Sequence, residues 1–205
     1  MATNKMLFLA GILALSFFSV ALATIVPVLD FCVADPNGQA LVHGMACKDP
    51  KLVTPEDFFF SGAHKPGNTS NPMGSKVTTF NVAQIPGLNT FGLSMARVDY
   101  CPGGLNAPHT HPRASEMFTV LEGTIEVGFI TPNPELRHFK KVLKKGDVFV
   151  FPFGLVHYQK NVGNGKAAAL VAFNSENAGM IPLGGSVLHA QPNMSEDIVA
   201  RVLKI

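Results

Sequence analysis

Charge is scarce in this 205-residue chain. Only 15% of its residues are Asp, Glu, Lys or Arg, and the formal net charge is +2. So weak and scattered a balance excludes a surface built to neutralise a nucleic-acid backbone. The tightest basic group, Lys140, Lys141, Lys144 and Lys145, is broken by apolar residues and reads as a solvated strand end or turn. Helix signals are few before the C-terminus, and no internal repeat or low-complexity tract follows Ala23. Long apolar runs are also missing past that point, so no later stretch could span a bilayer. Cysteine is limited to three residues and histidine to seven. What is there, with 47% of residues hydrophobic, is the composition of a single domain with a substantial core.

The N-terminus stands apart. In MATNKMLFLAGILALSFFSVALA, Lys5 precedes an apolar run from Met6 to Val20. The run closes on Ala21-Leu22-Ala23, with small residues at the two positions a signal peptidase reads. Residues 1–23 are therefore expected to be a secretory signal peptide. A membrane anchor is the alternative, but the run is short and no basic stop follows it. Cleavage after Ala23 starts the mature chain at Thr24, exported and with no membrane segment.

Export allows thiols to oxidise. Cys32 and Cys47 bracket the turn-rich VADPNGQALVHGMA, a loop of the sort a disulfide closes. Closing a loop of that length contributes about 3 kcal/mol on the chain-entropy account. Metal ligation by either cysteine is the alternative, with no second Cys/His pair at matching spacing to support it. Cys101 is left over and reads as a buried free thiol. Asn68-Thr69-Ser70 and Asn193-Met194-Ser195 are glycosylation sequons that export would make usable. Asn68 sits in an evident loop, HKPGNTSNPMGS, and Asn193 at the start of an expected helix.

Beyond one helical turn expected after Thr54-Pro55, the chain is a series of short apolar segments separated by Gly, Pro and Asn. KVTTFNV, LSMARVDY, MFTVLEGTIEVGFI, FKKVLKKGDVFVFP, VHYQKN and AALVAFN have the β-branched and aromatic content of strands. So many in one chain predict a barrel or sandwich. The end, NMSEDIVARVLKI, changes to helical spacing. Ser195 is the expected N-cap, Glu196 and Asp197 suit the first turn, and Ile198, Val202 and Ile205 share a face. That face needs cover, either from its own barrel or from another subunit.

The chemistry-bearing stretch is CPGGLNAPHTHPRASEM. His109 and His111 lie one residue apart, so an extended chain points both imidazoles to the same face. Glu116 follows five positions later, an odd spacing that a straight strand would turn away. Pro112 is expected to bend the chain so that Glu116 returns to the same side. Imidazoles with a carboxylate suit Mn, Fe, Zn or Cu. His157, in GDVFVFPFGLVHYQKN, reads by itself as a core or surface histidine; beside the other three it reads as a fourth ligand. His43, His64, His138 and His189 lack such company and read as structural or exposed.

Taken together, GGLNAPHTHPRASEMFTVLEG (Gly103 to Gly123) and GDVFVFPFGLVHYQKN (Gly146 to Asn161) resemble the paired motifs of the cupin superfamily. DFCVADPNGQ, GNTSNPMGS, SMARVDYCPGG, PHTHPRASE and AFNSENAG narrow the resemblance to the plant germins and germin-like proteins. It covers nearly all of the chain beyond the leader. It implies an all-β fold, a β-jelly-roll barrel with a short C-terminal helical extension. The division expected is a disulfide-closed segment at 24–57 and the barrel with its helix at 58–205. It further implies manganese held by His109, His111, Glu116 and His157, a Cys32–Cys47 bridge and a glycan at Asn68. A homo-hexamer built as a trimer of dimers is implied too, as is residence in the plant apoplast, extracellular space and cell wall.

Three positions depart from the family pattern. Germins that oxidise oxalate carry two asparagines near the metal; one matches Asn106, a candidate substrate contact, and the other matches Ala96, which cannot hydrogen-bond a substrate. Cys101 stands where the family usually has Ala. Family members generally continue for a further helical stretch beyond the point matching Ile205, and those helices help hold the oligomer. Three neutral imidazoles and a carboxylate leave two positions of an octahedral ion open and keep it reducible. Superoxide dismutation asks for little more than that, with Phe118, Phe149, Phe151 and Phe153 as candidate apolar walls. Oxalate must also be bound and oriented. Dismutase-type activity, with a role in defence or oxidative stress, is therefore expected ahead of oxalate oxidase activity. A non-catalytic wall, storage or auxin-binding-like protein is the reading from a different class.

Overall fold

Alternation of apolar and polar residues decides the architecture, because each short strand can bury one face only. A computed structural model describes residues 29–39, 44–191 and 193–203. The expected leader (1–23), His43 and Ile205 lie outside those residues, as does the side chain of Val202. The chain divides into two units, Met1–Phe31 and Cys32–Ile205, and the architecture lies in the second.

Among the described residues, ten strands form two antiparallel sheets. They are β1 (Ser75–Phe80), β2 (Ser94–Tyr100), β3 (Leu105–Thr110), β4 (Glu116–Glu122), β5 (Thr124–Ile130), β6 (His138–Lys144), β7 (Val148–Phe151), β8 (Val156–Asn161), β9 (Ala167–Phe173) and β10 (Ile181–Pro182). One sheet runs β1-β2-β9-β4-β7 and the other β10-β3-β8-β5-β6. This is the all-β jelly roll expected. Between the sheets lies a core that includes Val98, Phe118, Val120, Ile125, Val127, Phe151 and Val171. Consecutive strands such as β4 and β5 sit in different sheets, so their turn must be tight. Gly123 makes it at φ +83°, with the space for its missing Cβ taken by Ala167.

The outer face of β2 carries a polar pair that the alternation leaves unexplained. Arg97 and Asp99 are both buried and joined by three bonds, from Nε to both carboxylate oxygens and, the shortest at 2.7 Å, from Arg97 Nη2 to Asp99 Oδ1. The other carboxylate oxygen, Oδ2, accepts the Gly67 backbone N–H at 2.8 Å. Phe60 packs on Phe80 at 4.7 Å between ring centroids. The segment ahead of β1 thus covers this face of the sheet and desolvates the pair. Burial and Asp99 act in opposite directions on Arg97, and the bond to Asp99 prevails, holding the guanidinium proton more tightly than usual.

Cys32 and Cys47 are bonded, with Cα atoms 4.9 Å apart. Fully buried Asn89 donates to the Met45 carbonyl at 2.8 Å, fastening the loop they close. Cys101 is free, as read from the sequence, but half-buried and not buried. The turn after Thr54 is present as a single 3-10 turn, Pro55–Phe58, closed by a Thr54/Asp57 capping box. Two helices follow the barrel, α1 (Leu183–Leu188) and α2 (Glu196–Leu203). The Ser195 carbonyl accepts from the Ile198 and Val199 amides, which starts α2 at the expected cap.

Candidate metal centre

His109 lies on β3 and pairs in register with His157 on β8, where a shift between Asn106 and His109 breaks the ladder. His111 follows the end of β3. His157 is delivered by the turn at Pro152–Leu155, which allows Gly154 its φ of +71° and gives the Thr110 hydroxyl a carbonyl to bond at 2.6 Å. Glu116 does more than return to the same side of a bent strand, as the spacing alone predicts. The 112–115 turn carries the chain across to the opposite sheet, and Glu116 opens β4 there, pairing with Phe151 and Phe173. It faces the histidines from across the barrel.

All four side chains are buried, and one donor atom from each lies within 4.8 Å of every other. Glu116 Oε2 is 3.1 Å from His111 Nε2 and 3.4 Å from His157 Nε2. The opposite ring nitrogens decide the chemistry. His109 Nδ1 contacts the Ala107 carbonyl and His157 Nδ1 the Leu155 carbonyl, each at 2.8 Å, and His111 Nδ1 contacts the Gly179 carbonyl. A carbonyl only accepts, so each Nδ1 carries the proton and each Nε2 turns a lone pair inward. His157 Nε2 is buried with no hydrogen-bond partner. Three lone pairs and a carboxylate converging in a dry interior repel one another until a cation stands among them. The residues present therefore fit a metal ion, with backbone carbonyls fixing each imidazole's orientation as they do around bound metals generally.

Burial and then the facing His157 push the His109 imidazole down to about 4, which keeps it neutral and ready to ligate. Burial acts to raise Glu116, but hydrogen bonds and positive charge from His111 and His157, supplied when no ion is present and a proton stands on the Nε2 that faces the carboxylate, outweigh burial and hold the carboxyl at about 2. Both shifts favour the ligating form.

Gln159, which the sequence reading did not single out, completes the set. Its Nε2 donates to Glu116 Oε1 at 3.3 Å, and its Oε1 accepts from Asn106 Nδ2 at 2.8 Å. Asn106, expected as a substrate contact, thus directs its amide to Gln159. The signal for Gln159 was its place two residues beyond His157 on a strand, which puts it on the same inner face. Of the four phenylalanines expected as walls, Phe151 stacks on His157 at 4.5 Å and Phe118 is fully buried beside Phe151. Phe149 is partly buried against the core, whereas Phe153 is 58% exposed and takes no part. Phe173, not foreseen, lies edge-on to His111 at 4.8 Å. His64, His138 and His189 are exposed, as read.

The Cupin family model matches residues 61–205. A germin-like protein subfamily 1 member 20 of Arabidopsis thaliana is 51% identical over 87% of this chain and 82% of its own. Germin-like protein 8-11 of Oryza sativa subsp. japonica is 47% identical over the whole of this chain and 92% of its own. Among solved structures, a recombinant oxalate oxidase in complex with glycolate superposes with a TM-score of 0.83, is 40% identical, and is covered over 90% of its chain by 87% of this one. Fold, ligand geometry and these similarities agree: the chain belongs to the germin-like proteins of the cupin family.

Proposed function

We propose that this is a secreted, manganese-binding germin-like glycoprotein with superoxide dismutase-type activity in the apoplast and cell wall. The single observation that carries the reading is the convergence of three inward-turned Nε2 atoms and the Glu116 carboxylate in the buried interior. A resident redox-active ion supplies an electron acceptor and donor there. The chain's own residues do the rest. His109, His111 and His157 ligate as neutral rings, which keeps the site's charge low; Glu116 adds one negative charge that favours the more oxidised ion. Gln159 holds the outer oxygen of Glu116, and Phe151 and Phe173 pack against the His157 and His111 rings.

Secretion follows from residues 1–23 as a leader. Among the described residues no helix is long and apolar enough to cross a membrane. Asn68 is exposed, its Oδ1 accepting from the Ser70 amide of its own sequon at 2.9 Å, and Asn193 is exposed ahead of α2. Both are the glycan positions of this reading, with Asn68 first. Hexamer assembly is carried over from the family.

Oxalate oxidation is the second reading, favoured by the 40% identical oxalate oxidase whose structure holds glycolate. Against it, Ala96 offers no hydrogen bond and the Asn106 amide is engaged by Gln159. Elemental analysis of secreted protein, with superoxide and oxalate assays on the same sample, tests the ranking. Manganese with dismutase activity, both lost in His111→Ala, is the expected result. Hydrogen peroxide from oxalate at a comparable rate reverses the order; metal with neither activity removes the enzyme reading.

A further inference from the structure

A cavity of about 240 Å³ lies beside the donor cluster, between the inner faces of β1 and β2 and the 177–180 segment. Of the four donors only His111 lines it. His111 is also the most exposed of them, at 7% against 1–4% for the rest. A molecule that approaches the donors through this cavity passes His111 first.

The walls are chemically quiet. Val77, Met95, Ala96, Phe173, Ala178 and Met180 supply half of the lining residues, and no Lys or Arg contributes. The hydroxyls and amide oxygens of the lining are engaged, Asn81 Oδ1 by the Ala83 amide at 2.9 Å, which leaves the Nδ2 groups of Asn81 and Asn177 as its side-chain amide donors. The Ser94 hydroxyl donates to the Ser175 carbonyl at 2.6 Å, the Thr79 hydroxyl to Gln84 Oε1 at 3.2 Å, and Asn177 Oδ1 accepts from Arg113 at 3.1 Å. A second carboxylate projecting here would meet no Lys or Arg in the lining and no spare hydroxyl proton, and a neutral amide donor offsets only part of the cost of desolvating its charge. An apolar group would be at home. At roughly 30 Å³ per water-sized group, the space takes an arm of about six to eight carbons.

We propose that this cavity receives the apolar arm of a 2-hydroxy monocarboxylic acid whose carboxylate and hydroxyl sit at the ion-binding end. The inference rests on the reading of the four donors as an ion site and deepens it by naming the class of organic ligand. A 2-hydroxy acid offers two oxygens to an ion with two open positions. Its carbon chain then continues away from the charge, toward Ala96 and Phe173. The position where oxalate oxidisers place an asparagine is here part of an apolar floor.

The test is calorimetric titration of manganese-loaded protein with glycolate, mandelate, 2-hydroxy-4-methylpentanoate and oxalate. Burial of the arm is expected to bind the two apolar acids about 10- to 100-fold more tightly than glycolate. Ala96→Leu, which fills the floor, reduces mandelate affinity to that of glycolate. Thr79→Trp narrows the rim from an exposed position on an edge strand, and it gives the same result should the core substitution fail to fold. Equal affinity for glycolate and mandelate, or tighter binding of oxalate, overturns the inference and leaves the ion site standing. Protein that retains no manganese overturns both.

Discussion

Gln159→Leu tests whether the centre is built by its ligands alone. The substitution keeps a side chain of similar bulk on β8 and deletes both groups that bridge Asn106 to Glu116. Gln159 is 1% exposed, so water cannot replace what Glu116 Oε1 loses. A buried polar group stripped of its partner costs about 1–3 kcal/mol, with charged groups at the upper end. Glu116 is charged and buried, while Asn106 is only half-buried and can turn toward solvent, so the sum is about 3 kcal/mol. The more apolar leucine offsets about 1 kcal/mol of this. A net loss of about 2 kcal/mol lowers the thermal midpoint of metal-free protein by roughly 4–8 °C in a domain of this size. A carboxylate no longer anchored on its outer oxygen also ligates less well, with an expected 10- to 100-fold loss of metal affinity, an order of magnitude typical of such supporting partners. Chelator competition and scanning calorimetry measure the two effects. A folded Gln159→Leu protein with wild-type metal affinity would refute the reasoning.

Three other outcomes follow from features away from that amide. Asp99→Ala strands the Arg97 guanidinium on a covered face and should cost about 3–5 kcal/mol in denaturant unfolding; a loss under 1 kcal/mol would show the face to be wet. Replacing Cys32 and Cys47 together by Ser should lower stability by about 3 kcal/mol, and unchanged unfolding under oxidising conditions would contradict the loop-closure argument. Metal-free protein should weaken in mild acid. His109 titrates near 4 when folded against an ordinary 6.5, so the unfolded chain binds the extra proton between those values. Its contribution, on the order of 3 kcal/mol, is complete above pH 6.5 and lost as pH falls toward 4. Urea midpoints that stay level across that window would contradict the burial of this ring.

The fold was legible because strand-length apolar runs alternate with Gly and Pro breaks, and most of those runs coincide with strands. β3, which carries His109, escaped because LNAPHT has neither the alternation nor the β-branched content of a strand and is held by its partner β8. The helix Leu183–Leu188 escaped for a similar reason: Gly184 and Gly185 argue against it locally, and its placement against β10 and β3 is tertiary. At the site, spacing and family resemblance marked the four donors. Spacing could not show that Glu116 arrives from the other sheet, because a four-residue turn that switches sheets reads like one that bends a strand. Phe153, a candidate wall by residue type, lies past the end of β7 and is exposed.

The donor set straddles the interior: His109 and His157 hang from one layer, Glu116 from the other, and His111 from the link between them. An ion at their meeting point would act as a rivet through both layers. Residue 157 is far in sequence from the other three donors, so an unfolded chain grips the ion less fully, and the difference in binding goes to keeping the layers shut. Losing the ion would then remove that rivet and leave the layers held by the apolar core between them.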